Sequence, residues 1–564
     1  MRSPSRKRYR VPLSRSELID GDLFALVTLR ARGKAFRFST RDTTVANGAD
    51  VSLPDRLHFV GGLDPFDFTD AIELGEDMQP AREVSLSVLF RNDDGTGWAD
   101  LAAIDHDLGD ATCEVSIWKS GDDWSDRRVL LDGVVLSPEY GAAFEPLTFT
   151  VTEDPTEDTG VIPLDRMVVS SSTFPTVGVG THDPADSAAD QFYPVIYGAP
   201  GIVGADEDFD ILPAVPALIA EQDNTANNEN DTTDWLILLA GHHVAASTVT
   251  LHNREDETEA DVSIVNGADA NDYPIAYSLV TGSDLVIGGG DEIYWSFKLE
   301  AAGGKKNLRR GGTLRNAVDI MLDLLGQSTI RFDGERIQSL SERLAGFNLD
   351  FYINEQSTPW EVIQDHILPL LPLAPAMGPN GLWFVHYPFD ATASDAIAEI
   401  NPRSRGGSRN GMVKVSSATD IANYHTISFA LNAESGEYAR SLSYGPRELS
   451  RNDGTTLHPL SWASFSRYGL RQGDTIETDV VYDIATAHAV LDWRIRRDGM
   501  THQEVEYLLP QQFQHLEAGD VVTITDAEIG WSDRVAIAMS VPRRPGDGSF
   551  TFRTIPNWIR DAPT

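Results

Sequence analysis

The sequence predicts an α+β fold that is mainly β and is divided among several domains. Its 564 residues are too many for one hydrophobic core, so the length favours about three to five domains. Short alternating apolar runs outnumber helical patterns, and 46 glycines and 30 prolines supply frequent turns. We therefore expect small β-domains that are interrupted by one helical segment.

The charge balance limits the kinds of partner. The chain carries 86 acidic and 45 basic side chains, a formal net charge of −41. This charge opposes stable binding to DNA or to an anionic membrane. It suits a channel wall that DNA passes without sticking, and it equally suits the acidic surface of a protein from a saline habitat. No apolar run is long enough to span a bilayer.

Residues 1–20 are predicted to form a basic N-terminal arm. The arm lacks the apolar segment of a secretory signal. It either binds an acidic neighbour, such as another copy of the chain, or remains a solvated tail. Cys113 is the single cysteine, so an internal disulfide or a cysteine-based zinc site cannot form within one chain.

Residues 21–156 predict a small barrel or sandwich, because short strands and turn signals alternate regularly. The predicted strands are Ala25–Arg30, Ala35–Thr40, Glu83–Phe90, Cys113–Trp118, Val129–Leu136 and Leu147–Val151. Residues 157–201 then predict a linker. It ends in a buried strand, Val195–Tyr197, that stops at Gly198.

Residues 202–302 predict a separate, acidic β-domain with strands at Trp235–Leu239 and Thr248–Leu251. Two groups of residues in it have side-chain types that can bind a metal ion. The first group consists of Asp206, Asp208 and Asp210, which have the alternating spacing of a calcium loop. The segment lacks the glycine and the glutamate that such a loop requires. The second group consists of His242, His243 and His252, and it lacks a third ligand at helical spacing. Neither predicts a metal site.

Residues 303–400 predict a helical α/β insert. Thr313 is expected to cap an amphipathic helix that ends at Gly326, and Ile337, Leu340 and Leu344 indicate a second helix. A third begins after Thr358, with a proline at its first position and Glu361 completing a capping box. A turn at 378–381 and a strand at Leu382–Tyr387 follow. Residues 303–312 are rich in glycine but lack the order of a phosphate-binding loop.

Residues 401–564 predict a second β-rich region. Strands are predicted at Met412–Val415, Tyr424–Phe429, Val505–Leu509, Val521–Thr525, Val535–Val541 and Gly548–Ile555. The polar segment up to Arg471 receives no assignment beyond those strands. A helix at 485–497, with Asp483 as N-cap and Gly499 as a left-handed stop, is expected to lie against the strands that follow it.

Catalytic patterns are missing from the sequence. There is no GxSxG elbow, HExxH pair, Walker motif or strand-bound GxGxxG, and no pair of carboxylates stands out. Core packing explains the aromatic clusters Trp383–Phe384 and Trp462–Tyr468, with a sugar-binding face as the alternative. We therefore predict no enzyme activity and no catalytic, cofactor-binding or metal-binding residues.

Four segments, in this order along the chain, resemble tail hub proteins of long-tailed bacteriophages and gene transfer agents. They are LDGVVLSPEYG at 131–141, PVIYG at 194–198, FYINEQSTPWEVIQDHILPLLPLAPAMGPNGLWFV at 351–385 and LEAGDVVTITDAEIGWSDRVAIAMSV at 516–541. The resemblance implies two small tail-hub β-barrels, one at 21–156 and a second with a C-terminal β-unit at 401–564. Between them it implies an inserted acidic β-domain and the helical insert.

The resemblance also implies a function. It implies a homotrimer whose paired barrels form a near-sixfold ring in the tail tip or baseplate of a virion, made in the cytoplasm of the host bacterium. The ring would join the hexameric distal tail protein to tail-tip or fibre proteins, and it would enclose a channel for the tape measure protein and DNA. DNA would pass only transiently, and no stable membrane binding is expected.

Two other classes remain open. The chain could be a receptor- or glycan-binding adhesin of the tail tip, or a surface β-protein with no viral connection. A cell-wall hydrolase is a third class, although no segment is free to form the extra module. Symmetry separates the hub from the adhesin, since a hub must be trimeric and bind a hexamer whereas a lectin need only bind sugar.

Overall fold

A computed structural model describes most of the chain as runs separated by gaps. The described residues are 23–46, 56–64, 66, 69–71, 82–89, 108, 111–140, 146–153, 159–170, 172–173, 189–200, 215–216, 218–221, 235–253, 258–280, 295–299, 304–308, 312–378, 381–401, 407–431, 436–446, 455–513, 515–542 and 547–556. The predicted basic arm at 1–20 and the calcium-loop pattern at 206–210 lie outside these ranges.

Strands dominate the described residues, and helices are few. The strands before residue 300 are β1 (Leu23–Ala31), β2 (Lys34–Ser39), β3 (Thr43–Ala46), β4 (Arg56–Gly61), β5 (Thr69–Ala71), β6 (Arg82–Val88), β7 (Thr112–Lys119), β8 (Arg128–Tyr140), β9 (Leu147–Glu153), β10 (Val195–Tyr197), β11 (Val215–Pro216), β12 (Leu218–Glu221), β13 (Trp235–Ala240), β14 (Thr248–Asn253), β15 (Thr258–Ala268), β16 (Pro274–Val280) and β17 (Trp295–Leu299).

The remaining strands are β18 (Phe351–Ile353), β19 (Leu373–Gly378), β20 (Gly381–His386), β21 (Ala398–Ile400), β22 (Ser408–Arg409), β23 (Lys414–Val415), β24 (Tyr424–Leu431), β25 (Tyr438–Gly445), β26 (Thr455–Leu457), β27 (Gln472–Glu477), β28 (Gln503–Leu509), β29 (Val521–Asp526), β30 (Trp531–Pro542) and β31 (Gly548–Thr554). The helices are α1 (Ala317–Leu325), α2 (Gly334–Ser339), α3 (Pro359–Val362), α4 (Pro459–Tyr468) and α5 (Ile484–Asp498). The expected mainly β, multidomain α+β class is confirmed.

The first sheet is a half-barrel with strand order β3-β4-β2-β1-β7-β8-β9-β6. Its six predicted strands are all present. Arg32 and Gly33 both have positive φ angles, of 47° and 78°, which give the tight hairpin between β1 and β2 the twist that such hairpins need. The sheet curls until Leu63, just beyond β4, bridges Val88 at the end of β6. Alternate side chains of these strands fill its inner core.

The middle sheet has the order β11-β17-β14-β15-β16-β13-β12 and spans residues 215–299. Its neighbouring strands run antiparallel. A separate small core includes Ile237, Leu239, Val249 and Leu251 from β13 and β14. Ile196 of β10 belongs to the same cluster, so the middle sheet is packed onto the segment that precedes it.

The helical segment differs from the prediction at the start of α1. Asn316, not Thr313, is the N-cap, since its side chain accepts a hydrogen bond from the Val318 amide. Thr313 instead forms an isolated bridge with Lys306. The predicted capping box at α3 is present, but only 359–362 are α-helical before the chain widens into a π-turn and then tightens at Pro369, which lacks an amide hydrogen.

The C-terminal strands form the second half-barrel. Its order is β21-β29-β30-β31-β28-β22, with β23 also on β28 and with β5, from the N-terminal region, on β30. Between β23 and β28, the chain forms a separate four-stranded sheet with the order β26-β25-β24-β27. The segment from 430 to 471, which received no prediction, supplies β25, β26 and α4. The predicted strand at Met412–Val415 is only Lys414–Val415.

Two expectations for α5 are wrong. The helix was expected to lie against the strands that follow it, but it contacts β24 and β25 of the four-stranded sheet. Gly499 has a right-handed conformation, with φ −75°, and its amide continues the helical pattern by donating to the Ile495 carbonyl. The predicted N-cap is correct, because the Asp483 side chain accepts a hydrogen bond from the Ala485 amide. Across the described ranges, no helix has both the length and the apolar character needed to cross a bilayer.

Candidate functional site

The PVIYG segment lies at a junction of several parts of the chain. β10 pairs antiparallel with β18, with Ile196 opposite Tyr352, and its three residues are fully or almost fully buried. Backbone hydrogen bonds bring in three more segments. The Lys305 amide donates to the Ile196 carbonyl at 2.8 Å, the Gly198 amide to Leu314 at 3.0 Å, and the Gly241 amide to Pro194 at 3.0 Å. A three-residue strand therefore fixes the middle sheet and the helical segment together.

Gly198 is required by the geometry of this junction. Its φ angle is +64°, which glycine adopts without strain. A Cβ atom built there would lie 2.0 Å from the Asp350 Oδ1 atom and 2.6 Å from the Leu349 carbonyl oxygen. The expected stop of the strand at Gly198 is therefore present, and its physical reason is close approach as well as turning.

Asp350 is a fully buried carboxylate with several donors around it. The Arg315 side chain donates from Nε and Nη2 to the two Asp350 oxygens, both at 2.6 Å, while the Arg315 side chain is 34% exposed. The Ala199 amide donates to Asp350 Oδ1 at 2.8 Å. Because a buried charge is tolerated only when it is paired and hydrogen-bonded, these contacts make Asp350 the polar centre of the junction.

The side chain of His242 is hydrogen-bonded to the backbone of β10. Its Nε2 atom accepts a hydrogen bond from the Ile196 amide at 2.8 Å, and its Nδ1 atom lies 3.1 Å from the His243 carbonyl. Burial, assisted by the positive charge of Lys305, lowers the pKa of His242 to about 4. The ring is consequently neutral at pH 7, with the proton on Nδ1.

Tyr197 and Lys305 share one carboxylate. The Tyr197 hydroxyl donates to Asp323 at 2.8 Å, and the Lys305 ammonium donates to the same oxygen at 2.6 Å. Burial raises the pKa of Tyr197 well above its ordinary value, so the hydroxyl stays protonated. Each polar group named at this junction contacts a protein partner. The arrangement is suited to holding segments in position.

A second junction connects the two half-barrels. β5 extends the C-terminal sheet, with Asp70 opposite Val541 on β30. Glu517 accepts hydrogen bonds from Arg128 on β8, at 3.5 Å, and from Arg336 on α2. The Arg336 guanidinium also lies 3.5 Å above the Trp383 ring, a cation–π contact. Backbone pairing and side-chain contacts together hold one half-barrel against the other.

The candidate residues named from the sequence have different positions. His242 is buried, His243 is exposed, and His252 lies in β14. In the ranges that the structure describes, no three histidine, cysteine or acidic side chains are grouped for a metal ion. Phe384 is a core residue, as expected. The expectation of core packing is wrong for Trp462, whose side chain is 49% exposed.

A cleft of about 420 Å³ was not anticipated from the sequence. Its lining includes Asp420, Arg497, His502 and Arg553. Arg497 donates to the neighbouring Asp498 at 2.5 Å and 2.9 Å, and Arg553 donates to Glu504 at 2.9 Å. These arginines already have carboxylate partners, so we assign no ligand to the cleft.

Comparison with known protein families gives a match in the region from α3 to β30. Residues 360–538 match the family model Phage-tail_3, whose description is "Putative phage tail protein". The expected resemblance to phage tail proteins is confirmed over these residues. The match supports a role in a phage tail. No curated protein matches the chain at a significant level.

Three solved structures are among those that the chain matches. A tail protein from Neisseria meningitidis MC58 is 11% identical, with a TM-score of 0.37 over 95% of this chain and 99% of that one. The 43 kDa tail protein of prophage MuSo2 from Shewanella oneidensis is 10% identical, with a TM-score of 0.32 over 95% and 100%. A native gene transfer agent virion contains a chain that is 15% identical, with a TM-score of 0.17 over 50% and 81%.

Proposed function

We propose that the chain is the hub of a phage tail tip or baseplate. Three copies form a ring that joins the hexameric distal tail protein of the tail tube to tail-tip or fibre proteins. The ring encloses the channel for the tape measure protein and for DNA. In this proposal the chain has no enzyme activity, and its DNA contacts are transient.

The observation that carries this proposal is the presence of two half-barrels in one chain that matches a phage tail family. A trimer supplies three copies of any single surface, whereas a hexameric partner presents six. Two half-barrels per chain would remove this mismatch, because three chains then offer six of them. The β5–β30 pairing and the Glu517 contacts support a fixed spacing between the two half-barrels.

The net negative charge of the chain supports its proposed role as a channel wall. A net charge of −41 repels phosphate groups, so a wall made from this chain would let DNA pass without strong attraction. In the same proposal the units are the half-barrel at 21–156, the linker at 157–201, the acidic β-domain at 202–302, the helical insert at 303–400 and the second half-barrel at 401–564.

The test is the mass of the purified chain by light scattering at moderate salt, followed by mixing with the distal tail protein. The hub proposal expects three times 61.8 kDa and a complex of one trimer with one hexamer. Electron microscopy of that complex should show the two rings stacked on one axis. A chain that stays monomeric with and without the distal tail protein, yet binds bacterial surface glycans, would instead establish the adhesin.

A further inference from the structure

Helix α4 buries polar side chains and exposes an apolar one, the reverse of an ordinary amphipathic helix. Its buried residues are Ser461 and Ser464, both fully buried. On the outside, Trp462 is 49% exposed, and Leu470, just beyond the helix, is 48% exposed. A surface helix normally buries its apolar stripe and exposes its polar one, so this reversal needs a physical cause.

The cause is Asn423, a fully buried residue that precedes β24. The Ser461 hydroxyl donates to its carbonyl, and the Asn423 side-chain amide donates to Ser464 Oγ at 3.0 Å and to the Gly469 carbonyl at 2.9 Å. Its Oδ1 atom accepts from the Arg471 amide at 2.9 Å. Polar contacts thus hold the inner face of α4, and the exposed aromatic residue is not needed for that attachment.

The outer residues form a defined surface, the α4 patch: Trp462, Phe465, Arg467, Leu470 and Arg471. The Trp462 and Phe465 rings stack with centroids 5.6 Å apart and an angle of 30°. Arg467 and Arg471 are exposed. Residues 454–473 contain no aspartate or glutamate, although the whole chain has 86 acidic residues. The patch is therefore apolar and basic on a molecule that is otherwise strongly acidic.

We propose that the α4 patch is a contact surface between copies of this chain, seated on an acidic surface of the neighbouring copy. The inference rests on the proposed trimer. Trp and Arg are the residues most enriched in the energetic centres of protein interfaces. A second copy, with its net charge of −41, supplies the acidic complement that the two arginines need. A patch that meets a different surface on its neighbour is the contact from which a closed ring is built.

A protein surface fits the α4 patch better than a saccharide does. A sugar site combines an aromatic platform with polar groups that converge on the ligand hydroxyls. Here Ser461 and Ser464 point inward to Asn423, and the Ser466 hydroxyl donates to the Trp462 carbonyl at 3.0 Å. The serine hydroxyls of the helix are therefore already committed within the chain.

The test compares the trimer dissociation constant of the full chain with that of three variants. Trp462→Ala with Leu470→Ala removes the apolar part, and Arg467→Gln with Arg471→Gln removes the charge. The control, Met412→Ala, removes another exposed apolar side chain, which is 88% exposed. We expect the first variant to weaken the trimer by about 30-fold or more. The second should lose most of the salt dependence of the wild type, and the control should match the wild type.

The possible outcomes separate this inference from the hub proposal. A trimer that neither patch variant weakens, while circular dichroism and thermal unfolding remain unchanged, overturns the α4 contact and leaves the hub proposal standing. A trimer that the variants weaken but that does not bind the distal tail protein supports the contact and contradicts the hub. A wild type that stays monomeric both alone and with the distal tail protein overturns both. A patch variant that stays trimeric but loses glycan binding identifies the patch as a sugar site and refutes the contact.

Discussion

Asp350→Asn is the sharpest test of the PVIYG junction. The substitution keeps the size of the side chain but removes the buried negative charge and places an NH2 group in the position of one carboxylate oxygen. One of the two 2.6 Å contacts from Arg315 then becomes a donor facing a donor. The contact with the Ala199 amide, at 2.8 Å on Oδ1, can survive because the asparagine oxygen also accepts.

The expected cost is about 3 kcal/mol in the free energy of unfolding. Removing one partner of a buried ion pair costs about 3–5 kcal/mol, because the remaining charge is left without compensation. The Arg315 side chain is 34% exposed, so water partly solvates it and the lower end of that range applies. Asp132→Asn is the matched control. Its partner Arg331 lies 3.4 Å away with both side chains more than one-third exposed, and such pairs contribute about 0–1 kcal/mol.

Hydrogen exchange of the peptide that contains β10, read by mass spectrometry, is the assay that reports on the junction itself. Asp350→Asn should speed exchange of the Ile196 and Ala199 amides about 100-fold if the junction opens as a unit, since about 1.4 kcal/mol changes an equilibrium tenfold. Asp132→Asn should leave that peptide unchanged. Equal protection of the β10 amides in both variants would refute the claim that Asp350 organises the junction.

Three further predictions concern single positions. Gly198→Ala should destabilise the fold by more than 3 kcal/mol, because the positive φ angle and a Cβ atom 2.0 Å from Asp350 both oppose the new side chain; thermal unfolding measures the loss. His242→Gln should reduce the loss of stability on acidification. The pKa of His242 is about 4 when folded and about 6.5 when unfolded, so the unfolded chain alone takes up a proton in that window and the wild type should lose about 2 kcal/mol between pH 7 and pH 5. Thr358→Ala should cost about 1 kcal/mol, since it deletes the side chain that accepts from the Glu361 amide at 3.2 Å.

Each of these predictions has a matched control in the chain. Gly33→Ala carries the same φ cost, at +78°, with no atom within 4 Å, so a loss as large as that of Gly198→Ala would contradict the close-approach argument. His243→Gln changes the exposed neighbour and keeps His242, so the loss of stability that His242 produces on acidification should persist. Thr392→Ala removes a similar capping box from a short 3-10 helix with no buried residue, and it should cost less than Thr358→Ala.

Local patterns predicted the strands well, because alternation and turn residues both act within a few positions. β6 and β28 were found from alternating residues, and the hairpin at Gly33 from its turn. Helix α4 was missed because its buried positions are serines and its exposed ones are aromatic, which reverses the periodicity that identifies helices. The predicted cap at Thr313 failed because that residue is used in a bridge with Lys306.

The contacts that define the candidate sites have no signal in the sequence. Asp350 and Arg315 are far apart along the chain, and their pairing depends on how β18 and α1 are placed. The partner of α5 was mispredicted for the same reason, since which sheet a helix covers is set by tertiary packing rather than by its own residues. The PVIYG segment was identified as a buried strand ending at Gly198, but the buried carboxylate that makes the glycine necessary was not.

The addition of β5 to β30 has a consequence for the order of synthesis. The first half-barrel is made before β30, which begins only at Trp531. Residues 69–71 therefore have no partner on β30 until the ribosome has passed that strand. An interrupted chain can form its first sheet, but its two half-barrels cannot reach their final spacing. In the proposed ring, only molecules that contain both β5 and β30 would carry the geometry that assembly requires.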